Sequence, residues 1–252
     1  MKKSKQQGRG AAFGTSTLLS VIIPAFNEAQ TIRQVIREVK GVPIDKEIII
    51  VNDGSTDGTY RILKGMRSDP LLKIIQCKEN RGKGFAIRIG LEHVTGNFVV
   101  IQDADLEVRP KDLLPILEPL RKGIAQVVYG SRFLNGRNHA TFQNYIANRI
   151  LAGFVNVLYR SHITDESTCY KAFDAKLITR LNLTCEGFEF CPEVTAKVLR
   201  AGCHIHEVPI SYFPRTRKQG KKLRFWRDGM LAVWTLLKYR FVPKARMFKQ
   251  EG

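Results

Sequence analysis

The amino-acid sequence predicts an α/β fold in which a mostly parallel central sheet carries helices on both faces. From Leu18 onward, short runs that are apolar throughout alternate with amphipathic stretches of helical period. Strands buried on both faces read as such continuous apolar runs, and the helices between them supply the crossovers that parallel pairing needs. Three of the runs also end in polar clusters: Pro24-Ala25-Phe26-Asn27-Glu28, Asn52-Asp53-Gly54-Ser55 and Asp103-Ala104-Asp105. Ligands of parallel sheets bind at the carboxyl ends of the strands, so these clusters are expected to converge on one edge.

The elements follow in order. Residues 18–25 (LLSVIIPA) form a first strand, and Thr31–Lys40 places Ile32, Val35, Ile36 and Val39 on one helical face. KEIIIVND at 46–53 is a second strand, followed by a helix over Thr56–Met66 with Gly58 near its start. LKIIQCKEN at 72–80 and a helix over Lys83–His93 come next, then NFVVIQDAD at 97–105 and a helix over Pro110–Leu120. AQVVYGSR at 125–132 is a fifth strand. Beyond residue 135 the alternation weakens: a helix over Asn144–Tyr159, a turn and short strand in TDESTCYKAF, a helix over Phe190–Ala201 ending at Gly202, and a strand in HIHEVPISYFP. Phe225–Phe241 reads as a last helix with Phe225, Met230, Val233, Trp234, Leu237 and Phe241 roughly on one face. No internal repeat and no Pro- or Gly-rich linker interrupts the chain, which favours one continuous domain. The expected organisation is a basic tail over 1–16, a domain over 17–215 and a basic amphipathic extension over 216–252.

An apolar content of 44% suits a globular protein and argues against wholesale disorder. The net charge of +18 in 252 residues points to acidic partners: phosphorylated small molecules, an anionic membrane surface or nucleic acid. The five cysteines form no C-x-x-C pair and no zinc spacing, and read as free thiols of a reducing compartment. No cleavable apolar segment follows the basic start, and no run approaches the ~20 apolar residues that span a bilayer. The expected location is cytoplasmic, soluble or peripheral on the cytosolic membrane face.

Asp103 and Asp105 lie one residue apart where a strand ends and the chain turns, and two such carboxylates can face one hard divalent cation. A cation bridging a diphosphate would offset the charge that builds on a departing nucleotide. A surface turn capping the following helix is the plainer alternative. In Asp53-Gly54-Ser55-Thr56-Asp57-Gly58-Thr59 the glycines permit a tight turn and Ser55 or Thr56 can cap a helix. Asp53 is a fixed acceptor suited to the N–H or O–H groups of a base or ribose. Arg81-Gly82-Lys83-Gly84 can bring a cation to phosphates at a helix start, although it lacks the spacing of a P-loop.

Taken together, VIIPAFNEAQTI, VNDGSTDGT, NRGKGFAIRIG and QDADLE resemble, in order and spacing, the family 2 glycosyltransferases, and the likeness covers roughly residues 18–215. That resemblance implies a GT-A fold, a nucleotide-sugar donor, a Mg²⁺ or Mn²⁺ cofactor and an inverting single displacement through an oxocarbenium-like sugar. GSRF at 130–133, ESTCYKAF at 166–173, GFEF at 187–190 and EVPISYFPRTRKQGKKL at 207–223 narrow it. They look most like the dolichyl-phosphate mannose synthases and their bacterial polyprenyl-phosphate relatives. By position, the resemblance assigns Pro24, Ala25, Asn27 and Glu28 to the nucleoside pocket, Asp53 to the base, and Lys83 and Ala104 to the donor. Asp103 and Asp105 fall to the diphosphate and its cation, with Glu107 standing where these synthases often carry Gln as a further metal contact. Arg132, Arg149 and Arg215 are the candidates for gripping an acceptor phosphate. The CPE at 191–193 departs from the family's more usual acidic residue two places after Glu189.

Two acceptor classes remain open at this stage. A polyprenyl phosphate is already ionised near neutral pH and calls for cations to position it. A polysaccharide or protein hydroxyl calls for a general base, for which Asp165 and Glu189 are the candidates. Residues 215–249 hold twelve Lys or Arg against the single acid Asp228, interleaved with aromatic residues. Such a segment suits an anionic membrane surface or a membrane-anchor protein, or else packs its apolar stripe on the domain. A non-catalytic nucleic-acid-binding protein on the same scaffold is the alternative of another class. No nucleic-acid motif accompanies the charge, so nucleic acid ranks lowest among the partners.

Overall fold

The computed structural model describes residues 18–135, 142–215 and 225–249. The tail over 1–16 and the basic residues at 217–224 lie outside the described residues. A seven-stranded sheet organises the chain in the order β3-β2-β1-β4-β6-β5-β7. Its strands are β1 (Leu19–Ala25), β2 (Lys46–Asn52), β3 (Leu72–Gln76), β4 (Phe98–Ile101), β5 (Val127–Ser131), β6 (Lys171–Asp174) and β7 (Ile205–Pro209). β1 pairs in parallel with β2 and β4, β2 with β3, and β5 with β7. Only β6 runs antiparallel to its neighbours, inserted between β4 and β5. The sheet is therefore the mostly parallel one that the apolar runs predict.

Successive side chains of a strand point to opposite faces, so an uninterrupted apolar run feeds two cores at once. Val21, Ile23, Ile48, Ile50 and Val100 enter one cluster, and Ile22, Ile49, Val51, Val99 and Ile101 enter the other. Each such side chain, removed from water, contributes roughly 1.5–3 kcal/mol before chain entropy is charged against it. The first face is covered by α1 (Ile32–Gly41) and α4 (Leu113–Arg121), with Leu63 of α2 (Thr59–Lys64) joining them. The second is covered by α3 (Lys83–Leu91), α6 (Ala175–Arg180) and α7 (Phe190–Arg200).

Several boundaries differ from the sequence expectation. β4 ends at Ile101, and after Gln102, whose amide still donates to the Ile22 carbonyl (2.9 Å), Asp103–Asp105 leave the ladder. α2 begins at Thr59 rather than Thr56, because the Asp57 carboxylate accepts the Thr59 amide (2.9 Å) and ties the preceding residues into a turn. The six-residue α6 carries too little periodicity to announce itself, yet Asp174 caps it by accepting the Leu177 amide (3.1 Å).

α5 (Phe142–Tyr159) and α8 (Phe225–Phe241) lie against α7 and build a third cluster from Val155, Ile163, Ala196, Leu236 and Tyr239. α8 buries a different face from the expected apolar stripe. Ala232, Thr235, Leu236 and Tyr239 turn inward, whereas Met230, Val233, Trp234 and Phe241 are exposed. Among the described residues no helix is long and apolar enough to cross a membrane.

Candidate functional site

The ends of β1, β2 and β4 open into a cavity of about 1530 Å³. Pro24, Ala25, Glu28, Asp53, Lys83, Asp103, Ala104, Asp105, Glu107, Arg132 and Arg215 all line it. Convergence follows from topology, since parallel strands that are neighbours in the sheet deliver their following loops to the same edge.

The side of the cavity expected to take a nucleoside is braced by hydrogen bonds within the chain. Asn27 adopts a left-handed conformation (φ 52°), tolerable for its short polar side chain. Its amide donates to Ser55 Oγ (2.9 Å) and its Oδ1 accepts the Thr56 amide (2.8 Å), so it ties the β1 and β2 loops together rather than lining the cavity. Asp53 accepts the amides of Arg81 (3.1 Å) and Gly82 (2.7 Å), fixing the turn that leads into α3. Burial pushes the Asp53 carboxyl above its usual range, against the pull of those amides.

The start of α3 differs from a phosphate-binding helix end. The amides of Gly84 and Phe85 donate to the carbonyls of Gly187 (3.2 Å) and Glu186 (3.0 Å). A Cβ at Gly84 would lie 2.5 Å from the Cys185 carbonyl oxygen, so glycine is what allows this approach. The cation this segment brings to the cavity is instead the Lys83 side chain, whose Nζ lies 2.6 Å from Asp103 Oδ1. Burial alone would depress the amine; the Asp103 carboxylate outweighs it and holds Lys83 charged.

Leu106, in the left-handed region (φ 62°), reverses the chain between Asp105 and Glu107. Asp105 is raised to about 7 by burial and by the neighbouring charges of Asp103 and Glu107, with Arg215 opposing the rise. The Arg215 guanidinium donates to both oxygens of Glu28 (3.0 Å each) and lies 3.3 Å from Asp105 Oδ2. Its Nε is buried without a hydrogen-bond partner. Arg215, expected on the acceptor side, thus bridges Glu28 of the loop after β1 and the acidic turn. Glu107 accepts the Arg215 amide (2.8 Å) and the Tyr212 hydroxyl (3.2 Å), which docks the segment after β7 onto that turn.

Asp103 and Asp105 are hard oxygen donors, and the mutual repulsion that lifts Asp105 is what a divalent cation would relieve, so the pair fits such an ion. Among the described residues no group of three acidic, His or Cys side chains forms a ready cage. A cation held here would draw its remaining ligands from a bound diphosphate or water.

The acceptor-side candidates separate. Arg132 lines the cavity with its guanidinium 5.0 Å from the Tyr212 ring centroid. Arg149 does not line it; its NH1 donates to the Thr164 carbonyl (3.3 Å). Of the two candidate bases, Asp165 is fully buried and paired with Arg132 (2.7 Å), and Glu189 accepts the Gly187 amide (3.0 Å). Neither lines the cavity.

The acid of the CPE segment, Glu193, lies in the core instead. It accepts the amides of Thr184 and Cys185 (2.8 Å each) and pairs with the buried Lys197 (2.6 Å). It thereby holds the 184–187 segment against α3. Sequence reading missed this wall; Gly82 and Gly84, too closely spaced for a helix start without a neighbour to admit, were its signal.

It also missed the cavity's far end, an apolar gutter between Ile146, Ile150 and Phe154 of α5 and Met230, Val233 and Trp234 of α8. Ile150 and Met230 are each 68% exposed and Trp234 64%.

A sequence model described as glycosyl transferase family 2 matches residues 20–181. Glycosyltransferase AglJ of Haloferax volcanii is 28% identical over 85% of this chain and 69% of its own length. The low-salt glycan biosynthesis hexosyltransferase Agl6 of the same organism is 29% identical over 78% of this chain, which spans only 48% of that relative. The UDP-N-acetylglucosamine–dolichyl-phosphate N-acetylglucosaminyltransferase of Methanococcus voltae is 28% identical over 77% of this chain and 84% of its own. Among solved structures, glucosyl-3-phosphoglycerate synthase of Mycobacterium tuberculosis with Mn²⁺, UDP and phosphoglyceric acid superposes with a TM-score of 0.68. It is 22% identical, covering 90% of this chain and 80% of that one, a likeness of fold.

Proposed function

This chain belongs to glycosyl transferase family 2, and on that premise we propose that it transfers a hexose from a GDP- or UDP-sugar to a polyprenyl phosphate at a membrane surface, with inversion and with the help of Mg²⁺ or Mn²⁺. The observation that carries this reading is the form of the cavity: one continuous space joins the acidic turn at Asp103–Asp105 to the apolar gutter between α5 and α8, with Arg132 on its wall. Such a space suits an acceptor with an anionic head and a hydrocarbon tail. A dolichyl-phosphate transferase among the relatives supports the same acceptor class. The partly exposed apolar residues of the gutter, with Arg227, Lys238 and Arg240 also exposed on α8, favour work against an anionic lipid surface.

In this mechanism Asp103 and Asp105 would hold the cation, which would supply charge compensation to a departing nucleoside diphosphate. Lys83 keeps Asp103 oriented. Arg215, whose NH2 lies 3.3 Å from Asp105 Oδ2 and whose Nε–H is unpartnered, adds a fixed positive charge where leaving-group charge would develop. Arg132 orients the acceptor phosphate, whose ionised oxygen attacks the anomeric carbon as the bond to the diphosphate breaks. No proton has to be removed from that oxygen, which is consistent with Asp165 and Glu189 both lying outside the cavity lining.

The test supplies the protein with Mg²⁺ or Mn²⁺, short polyprenyl phosphates and a panel of GDP- and UDP-sugars, and reads lipid products by mass spectrometry. A polyprenyl-phosphate sugar that disappears with EDTA is the expected result. Transfer to a soluble sugar or peptide hydroxyl, with none to the lipid phosphate, would replace the acceptor assignment.

A further inference from the structure

The geometry points to Asp165 as a positioning residue that aims Arg132 at the acceptor's phosphate, and not as a base; this deepens, and rests on, the polyprenyl-phosphate reading above. Asp165 is fully buried, and three N–H groups of one residue converge on it. Its Oδ2 accepts the Arg132 amide (3.0 Å) and Nε (2.7 Å), and its Oδ1 accepts NH2 (2.7 Å). A carboxylate that accepts three N–H groups and is fully buried, away from the cavity lining, is out of reach of an acceptor hydroxyl.

That grip fixes more than charge. A two-point pair sets the plane of the guanidinium, and because Nε and NH2 are committed to Asp165, NH1 is the edge left to meet a ligand. The plane is confirmed from its face by the Tyr212 ring, 5.0 Å from the guanidinium carbon. Burial would favour neutral Arg132, but the Asp165 carboxylate outweighs it and keeps the side chain cationic.

Asp165 is itself held from behind. Glu207 of β7 accepts the amides of Thr164 (2.7 Å) and Asp165 (3.0 Å), one on each oxygen. The order of support therefore runs from Glu207 through the 164–165 backbone to Asp165, then to Arg132 and the cavity. Arg132 directly follows β5, and the pair removes the freedom its long side chain would otherwise keep. A pre-aimed cation loses less entropy on meeting a phosphate than a loose one.

The experiment compares the full chain with Asp165→Asn and Glu207→Gln. Farnesyl phosphate and its neutral alcohol, farnesol, serve as calorimetric probes beside initial-rate kinetics on a polyprenyl phosphate. Asp165→Asn is expected to weaken farnesyl phosphate by about tenfold or more and to leave farnesol binding unaltered. In kinetics the loss falls on KM for the acceptor, with a smaller factor on kcat. Glu207→Gln, which keeps the ion pair but loosens its footing, is expected to shift KM the same way by less, and it carries the test if Asp165→Asn fails to fold.

A base would show the opposite split: a fall of 10²–10⁴ in kcat with KM unchanged, and that outcome overturns the proposal. Equal farnesyl phosphate binding by the wild type and a folded Asp165→Asn overturns it too, as does a wild type that binds no farnesyl phosphate. Wild-type binding without transfer removes the functional reading alone, because the weakening caused by Asp165→Asn remains measurable.

Discussion

Asp105→Asn is expected to make the metal-free protein more stable while removing a ligand of the proposed cation site. The substitution preserves shape: an Asn Oδ1 still accepts the Glu107 amide, now 3.0 Å from Asp105 Oδ1, and Arg215 keeps its two-point pair with Glu28. What disappears is a buried charge crowded by Asp103 and Glu107. The Asp105 carboxyl is pushed up to about 7 from an ordinary 3.8, so at ~1.4 kcal/mol per pH unit its ionisation costs the fold on the order of 4 kcal/mol above neutrality. The sign follows from proton counting. Between the unfolded and folded values the native state holds a proton that the unfolded chain has released, so stability falls as pH rises from about 4 to about 7 and is flat beyond. The variant should therefore match the wild type near pH 4 and exceed it by an amount on the order of 4 kcal/mol at pH 8, on the order of 10 °C in Tm for a chain of this size. Thermal and urea unfolding across pH, in EDTA, measure the gap; added Mn²⁺ should narrow it by stabilising the wild type alone. Equal stability at pH 8, or a gap that ignores pH, would refute the buried-charge reasoning.

Other perturbations test the supports of the site. Gly84→Ala brings a Cβ to 2.5 Å from the Cys185 carbonyl oxygen and 3.0 Å from that of Gly187. A loss of about 2–4 kcal/mol is expected in urea unfolding. Lys197→Met leaves the fully buried Glu193 without its cation. It should cost about 3–5 kcal/mol, read as a lowered denaturation midpoint with an unchanged slope. Trp234→Ala removes a side chain that is 64% exposed and should change stability by no more than about 0.5 kcal/mol. Partition onto anionic vesicles should fall several-fold, and in the wild type vesicle addition should shift Trp emission to the blue.

The fold and the site are legible in the sequence to different depths. The uninterrupted apolar runs and the period-3.6 stretches report burial residue by residue. They therefore sufficed for the parallel sheet, for the helices on its two faces and for the edge where Asp53, Asp103 and Asp105 meet. The order of the four motifs added the family, because their spacing reflects one topology. Partners distant in sequence have no such local trace. Arg215 meets Glu28 across 187 residues and Arg132 meets Asp165 across 33, and only packing decides those pairs. The same holds for the amides of α3, given to the 186–187 carbonyls, and for α8, whose sequence offered an apolar stripe but whose opposite face became buried. A helix with apolar residues on more than one side does not say which side the core will take. Composition and periodicity thus determined which segments fold and where their ends meet; the choice of which charges face each other, and which are left facing the cavity, came from tertiary contact, because electrostatic and hydrogen-bond partners are selected by distance in space.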